Sequence, residues 1–389
     1  MTPRYLDHAA TSPLRPEVLG AMVPVLRDLH GNPSGGHGPA RAARAALEEA
    51  RDRLAAVAGC AAGEVVFTSG GTEADDLALR GTVAARPGTP VCSATEHHAV
   101  LDVVGRLGGP VVEVDRRGLL DLDHLARTLS QAAPVAVVSV HLVNNETGVV
   151  QDLDAVAEVV ARHAPGAVLH TDAAQALSWL DVAAATARAD LVTLASHKCG
   201  GPKGVGALVV RDGRAIEPRL LGGGQERGRR AGTPDVAGAV GFAAAAELAR
   251  VERSDLVARA GAWRARLVAA LVAEVPDLVV TAAPTGSGLD HAAPGWVHVC
   301  VPGVRSEPLL FLLDDEHGVA ASAASSCASG AQERSHVLAA MGVDPQAAAG
   351  SLRLTLGWST TGADVEAVAS AVPAAVARLR AAARHGVAV

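Results

Sequence analysis

SHKCGGPKGVGAL, residues 196–208, sets a lysine between a histidine and a run of glycines, directly after the apolar stretch Leu191–Leu194. A lysine at a strand end, beside a cation and partly removed from water, has a lowered amine pKa and forms Schiff bases. Glycines let the backbone approach a ligand closely. The same residues also suit a surface lysine ahead of a turn, so the flanking stretches must decide. One strand-length segment earlier, HTDAAQAL (170–177) ends an apolar run on Asp172, where a carboxylate is unfavourable unless it is paired. A pyridinium nitrogen is one such partner, and an ordinary strand-end or helix-cap role is the alternative. Further back, VVFTSGGTEADDLALRG (65–81) is a strand, a Gly-rich turn and a helix start. Its free N–H groups make an anion site to which Thr72 adds a hydroxyl. It also serves as a plain helix start with Thr72 at the cap and Asp75 in the first turn.

Outward from these stretches, short β-type runs alternate with helical patterns, the signature of an α/β fold with a mostly parallel sheet. Expected strands are Val65–Thr68, Pro90–Ser93, Val111–Val114, Val135–Val140, Ala167–Thr171, Leu191–Leu194 and Val205–Val210. Expected helices include Pro39–Ala58, Glu73–Thr82, Leu122–Leu129 and Ala155–His163. From about Ala249 the texture changes. A helix over Leu256–Glu274, capped by Ser254 or Asp255, opens a smaller α+β region with a strand at Val297–Val301, a helix at Glu307–His317, a strand at Ser351–Leu356 and a final helix. The division expected is a large domain over 12–255 and a small one from 1–11 and 256–389.

Composition narrows the function. The chain has 389 residues, 49% of them hydrophobic, and a net charge of −7, which excludes a largely disordered chain. Basic residues are dispersed and aromatics scarce, against direct nucleic-acid binding. No apolar run reaches the ~20 residues of a membrane span, and no secretory signal is visible. Five scattered cysteines, Cys60, Cys92, Cys199, Cys300 and Cys327, contain no CxxC pair. They indicate neither a disulfide framework nor a thiolate zinc site, and fit reduced thiols in the cytoplasm. A metal site from Cys92, His97 and His98 lacks a fourth ligand. No GxGxxG follows a first strand, which weighs against a dinucleotide-binding oxidoreductase. Cys60 and Cys300 lie in apolar runs and are expected in the core, and Cys199 should turn away if Lys198 faces a ligand. ASAASSCASGAQE (321–333) places Cys327 in a small, hydroxyl-rich loop, where a thiol is accessible.

A phosphate cradle, an acid for a ring nitrogen and a Schiff-base lysine, in that order, resemble the pyridoxal-phosphate enzymes of aminotransferase fold type I. More narrowly, the chain resembles the NifS-like cysteine desulfurases. Matching segments run from YLDHAATSP (5–13) through HGNPSGGHG (30–38), TEHHAVLD (95–102), HLVNNETGVVQD (141–152) and GGGQERGRRAGTPD (222–235) to SLRLTLGWSTT (351–361). The resemblance implies a fold type I α/β architecture, pyridoxal 5′-phosphate, L-cysteine as substrate, a homodimer and a sulfur-acceptor protein. It assigns Lys198 to the Schiff base, Asp172 to the ring nitrogen, Gln175 to the phenolic oxygen, and His97 to stacking and proton transfer. Gly71, Thr72, His197 and Ser196 fall to the phosphate, with Thr233 from a second subunit. Asn145 and Arg353 fall to the substrate carboxylate with Asn32 nearby, Asn145 also touching the cofactor, and Cys327 is the nucleophile.

Departures from the family pattern carry their own expectations. Ala195 stands where relatives have a phosphate-binding Ser, so Ser196 substitutes from a shifted angle or the phosphate has one hydroxyl fewer. Ala324 precedes the Ser325-Ser326-Cys327 step where a Gly is usual, which stiffens the loop. Gln225 replaces a frequent His. The chain ends soon after its last helix, without the tail that docks an iron–sulfur scaffold in some relatives. Rival readings are a selenocysteine lyase, a small-amino-acid aminotransferase and a non-catalytic protein of a sulfur system.

Overall fold

A computed structural model describes residues 3–281, 291–323 and 334–384. Cys327, with Ala324, Ser325 and Ser326, lies outside the described residues. In chain order the strands are β1 (Arg4–Tyr5), β2 (Val65–Thr68), β3 (Thr89–Ser93), β4 (Val111–Val112), β5 (Val135–Ser139), β6 (Val168–Asp172), β7 (Leu191–Ala195), β8 (Gly206–Val210), β9 (Val279–Val280), β10 (Trp296–Cys300), β11 (Val319–Ala320) and β12 (Ser351–Thr355). The helices are α1 (Pro16–Asp28), α2 (Gly38–Ala58), α3 (Gly71–Ala85), α4 (His98–Arg106), α5 (Leu122–Gln131), α6 (Leu153–His163), α7 (Val182–Ala185), α8 (Val236–Glu274), α9 (Ser306–His317), α10 (His336–Ala340), α11 (Pro345–Ala348) and α12 (Gly362–Arg384).

The fold is α/β. Seven strands form the main sheet in the order β2-β8-β7-β6-β5-β3-β4. Only β8 runs against its neighbours, pairing antiparallel with both β2 and β7. Every residue of β5, β7 and β8 is buried, as expected for strands covered by helices on both faces. Asp121, Asp152, Asp181 and Asp235 each accept a backbone N–H at the start of α5, α6, α7 and α8, which orients those helices on the sheet. The second, three-stranded sheet, β12-β10-β9, is antiparallel. Among the described residues no helix is long and apolar enough to cross a membrane.

Two expectations are corrected here. The helix placed at Leu256–Glu274 is the second half of one continuous helix, α8, and its cap is Asp235, whose Oδ1 accepts from Gly238 N–H at 2.8 Å. Ser254 and Asp255 are interior residues. The Ala- and Gly-rich first half is buried along nearly its whole length, so it has no polar stripe to announce it. Cys300 is buried as expected, but Cys60 is only half-buried, just beyond the left-handed Gly59 that ends α2.

The first residues of the chain tie the two sheets to each other. β1 pairs with β11, and Asp7 bridges to Thr355 of β12. The segment then crosses to the main sheet, where Ser12 N–H donates to the His197 carbonyl.

Candidate functional site

Asp172 is the last residue of β6, and Lys198 follows Ala195, the last residue of β7. The two strands are parallel neighbours, with Asp172 in register with Thr193. Both side chains therefore reach the same carboxyl edge of the sheet, the usual ligand-binding edge of an open α/β fold. The amino end of α3 follows β2, and His97 caps α4 just after β3. These groups enclose a cavity of about 260 Å³ whose wall includes Thr72, His97, His141, Asp172, Lys198 and Arg353. Gly71, Gln175, His197 and Asn145 complete most of it.

The polar groups are held from behind. Lys198 Nζ donates to the carbonyls of Ala9 and Ala10 at 2.6 and 2.9 Å. Asp172 Oδ1 accepts from Ala174 N–H at 2.9 Å, and burial pushes its carboxyl above the usual range despite the pull of His97 and Lys198. His97 Nδ1 accepts from Ala99 N–H at 3.1 Å, which fixes its ring across the cavity. Burial holds that imidazole below its ordinary pKa, so it is neutral at pH 7. Gln175 donates to the Ala9 carbonyl. His197 shares a 3.1 Å hydrogen bond with Thr11, and its pKa is lowered to about 4 by burial and then by Lys198 and Lys203.

The anion site is built from backbone. Gly70 caps α3, so Thr72 is its second residue rather than its cap, and the first N–H groups of the helix are free for a ligand. Gly206 on β8 lies against this turn, where an added Cβ would stand 2.6 Å from the Gly70 carbonyl carbon. The carboxylate of Glu73 does not compete for the site, because Arg230 and Ser69 N–H hold it.

Arg353, on β12, reaches the opposite wall. Its Nη1 donates to the Asn145 carbonyl at 2.8 Å and its Nη2 to Asp7 at 2.7 Å. Each of these nitrogens keeps a second N–H. The turn carrying Asn145 depends on Gly148, at φ +77°, where a Cβ would come within 2.6 Å of Trp296.

Two expected residues, Ser196 and Asn32, lie outside this cavity, and Thr233, expected from a second subunit, does not line the cavity of its own chain. Ser196 is buried and outside the cavity wall; its Oγ lies over Gly201, where an added Cβ would meet it at 2.0 Å. Ala195 takes the cavity position, so the phosphate site has one hydroxyl fewer. A strand side chain and its successor point to opposite sides, which is why a one-residue shift cannot be compensated. Asn32 and Thr233 are both exposed and share a different, shallow cleft between the loop after α1 and the start of α8. Cys199 is turned into the core as expected, its Sγ 3.2 Å from the Ser196 carbonyl.

Sequence reasoning passed over four contributors: Asp75, Glu96, His141 and the segment Ala9–Thr11. Asp75 is fully buried in α3, 3.5 Å from His170 Nε2. Its signal was available, since it lies three residues beyond Thr72 on a helix opening into the site. His141 ends the apolar run of β5 next to the Asp172 strand, a costly place for an idle imidazole.

Pyridoxal phosphate requires an amine for its aldehyde carbon, an acid for its ring nitrogen and an anion site for its phosphate. Lys198, Asp172 and the start of α3 with Thr72 offer these around one cavity. Asp172 lines this space, and its one hydrogen bond among the described residues, from Ala174 N–H, goes to Oδ1. The residues fit the group. Among the described residues no group of three or more His, Cys, Asp or Glu side chains is arranged to hold a metal ion.

Comparison with known proteins gives concordant matches. The family model for class-V aminotransferases matches residues 4–368. An IscS-like cysteine desulfurase of Mycobacterium tuberculosis is 41% identical over 97% of this chain and 98% of its own. A solved NifS-like protein superposes with a TM-score of 0.88 at 30% identity, covering 97% of this chain and 100% of the other. The structure described as SspA in complex with cysteine matches with a TM-score of 0.75 at 29% identity, over 91% of this chain and 98% of that one.

Proposed function

The chain belongs to the class-V aminotransferase family, as a pyridoxal-phosphate-dependent cysteine desulfurase, and from that premise we propose how its residues share the work and where the sulfur goes. L-Cysteine enters the cavity with its carboxylate on Arg353 and Asn145. Anchoring the carboxylate sets which bond at Cα stands ready to break, a positioning effect. Bound pyridoxal phosphate supplies an electron sink for charge developing at Cα. Lys198 carries the proton from Cα, and neutral His97 lies across the cavity as stacking partner and proton acceptor. Cys327 attacks the substrate sulfur as a thiolate. A sulfur–sulfur bond forms as the carbon–sulfur bond breaks, the electron pair stays with the carbon skeleton, and protonation of that skeleton yields L-alanine. The resulting persulfide passes to an acceptor protein, for which iron–sulfur assembly is one destination.

The enclosure of Asp172 and Lys198 in one cavity opposite His97 carries this reading. Incubation with L-cysteine and a thiol reductant should release sulfide and alanine in equal amounts. Cys327→Ala should keep the yellow cofactor absorbance and lose sulfide release; survival of release at the wild-type rate would remove Cys327 from the mechanism.

The working unit is a homodimer. Asn32 and Thr233 do not line the Lys198 cavity of their own chain but share one exposed cleft, which supports the reading that they serve the cavity of a second copy. Nearby, Leu19, Val23 and Leu26 leave an apolar face on α1, and Leu221 is 84% exposed, all surface suited to burial between subunits. Sedimentation of the purified chain at twice the monomer mass tests this. Residues 12–255 act as the cofactor-binding body and 1–11 with 256–389 as the body carrying Cys327. We assign the enzyme to the cytoplasm, a reading supported by scattered cysteines that form no disulfide among the described residues.

A further inference from the structure

His141 has no part in the chemistry above, yet it forms part of the cavity wall between His97 and Asp172. It is 3% exposed, and neither ring nitrogen has a hydrogen-bond partner among the described residues. Its backbone is fixed on both sides. His141 N–H donates to Glu96 Oε1 at 2.7 Å, and Leu142 N–H donates to the Asp172 carbonyl at 2.9 Å. Glu96 is wholly buried, and its second oxygen, Oε2, is also unpartnered, 3.9 Å from His141 Nδ1. That gap is too long for a hydrogen bond. Burial, and then the nearby Asp172, push the Glu96 carboxyl well above its usual range, and burial lowers the His141 pKa to about 3, so the imidazole is neutral. A neutral imidazole carries one donor and one acceptor. Leaving both unmet in a buried place destabilises the protein, and such groups are rare without a ligand or function behind them.

We propose that His141 is a further cofactor-contacting residue, hydrogen-bonding pyridoxal phosphate in this cavity through one ring nitrogen while Glu96 sets the tautomer from the other side. The inference rests on the cofactor occupying this cavity. It assigns Glu96 the role of a positioning residue. In the cofactor-free enzyme the unmet nitrogens are a liability, and binding relieves it.

That opposition gives a test. The full-length chain, freed of cofactor, is titrated with pyridoxal phosphate by absorbance and melted without it. His141→Leu removes the unmet polar atoms and nearly preserves volume. Its cofactor-free form should melt at or above the wild-type temperature, while its dissociation constant for pyridoxal phosphate rises about five- to tenfold, the worth of one neutral hydrogen bond. Glu96→Gln keeps the Oε1 acceptor for His141 N–H and puts an NH2 donor at the Oε2 position, so it should melt normally and bind the cofactor within about twofold of wild type; weakening as large as in His141→Leu would overturn the role given to Glu96. His141→Gln restores a donor and an acceptor, and its dissociation constant should fall between wild type and His141→Leu. An unchanged dissociation constant in His141→Leu overturns the proposal. So does a parallel loss of cofactor-free stability and affinity, which would mark His141 as a structural residue only. A wild-type chain that fails to bind pyridoxal phosphate would instead refute the underlying reading of the cavity.

Discussion

Lys198 Nζ stands 2.6 Å from the carbonyl oxygen of Ala9, a residue 189 positions earlier in the chain. The Ala10 carbonyl accepts a second hydrogen bond, and the Lys198 carbonyl accepts from Ser12. The Lys198 amine is thus oriented by main-chain atoms, which substitutions near it leave in place.

Lys198→Ala should fold and take up cofactor without the yellow Schiff-base absorbance, and borohydride should no longer fix cofactor to protein. Sulfide formation should drop by about a thousandfold or more, the scale of losing a positioned base. An unchanged absorbance would assign the Schiff base to another residue.

Four described thiols are poor nucleophiles. Burial raises Cys60 to about 11 and Cys199 and Cys300 to about 12, and lifts Cys92 further. At pH 7 a limiting dose of iodoacetamide, followed by peptide mapping, should label Cys327 ahead of all four. Faster labelling at Cys60 would contradict the assignment.

Arg353→Lys replaces a fork that spans Asn145 and Asp7 by a single point charge. The KM for L-cysteine should rise by about tenfold or more, as for the loss of one charge-assisted hydrogen bond, with a smaller change in kcat. Steady-state alanine formation measures both.

Glu226 sits at φ +48° and is followed by Arg227 at φ +57°, two side-chain-bearing residues in the left-handed region. What holds them there is a buried pair in which Arg51 Nη1 and Nη2 meet Glu226 at 2.6 and 2.8 Å and Phe67 N–H adds a third bond. Glu226→Gln should destabilise by roughly 1–3 kcal/mol in urea unfolding, since Arg51 loses its buried counter-charge and keeps only the half-exposed Glu48 carboxylate at 3.2 Å. Arg51→Met with Glu226→Leu should not recover that loss, because it leaves Phe67 N–H and the Val65 carbonyl without their partners.

His298 is enclosed between Thr281 and Ser351, and burial, with Arg353 adding to it, lowers its pKa to about 3. An imidazole depressed in the folded state stabilises fully above the unfolded pKa of about 6.5, and that contribution is lost as pH falls toward the folded value. Between pH 6 and 4 this one group should contribute about 1.4 kcal/mol of lost stability per pH unit. His298→Asn should flatten the acid limb of a stability-versus-pH curve by that slope, whatever its effect at pH 7.

The strand skeleton was legible because period and apolarity speak plainly there: all seven strands of the main sheet fall within two residues of their expected bounds. Lys198 and Asp172 were legible because charged groups at apolar strand ends demand partners. The first half of α8 was silent, since Ala and Gly buried all round have no face. Ser196 misled because a motif shifted by one residue keeps its composition while its side chain reverses. The resemblance puts Asn32 near the substrate because it carries no geometry; in the fold Asn32 lines a separate cleft with Thr233, which the resemblance assigns to a second subunit.

The N-terminal segment described above has a consequence in time. Asp7 meets Arg353, β1 waits for β11, and Ala9 waits for Lys198. On the ribosome the first strand emerges with nothing to pair with until Val319 and Ala320 have been made, and Asp7 waits longer still, for Arg353 and Thr355. The cavity is therefore a late product of synthesis: its wall joins Ala9 and Ala10 from the oldest part of the chain to Arg353, and a nascent fragment that stops short of Arg353 lacks part of that wall.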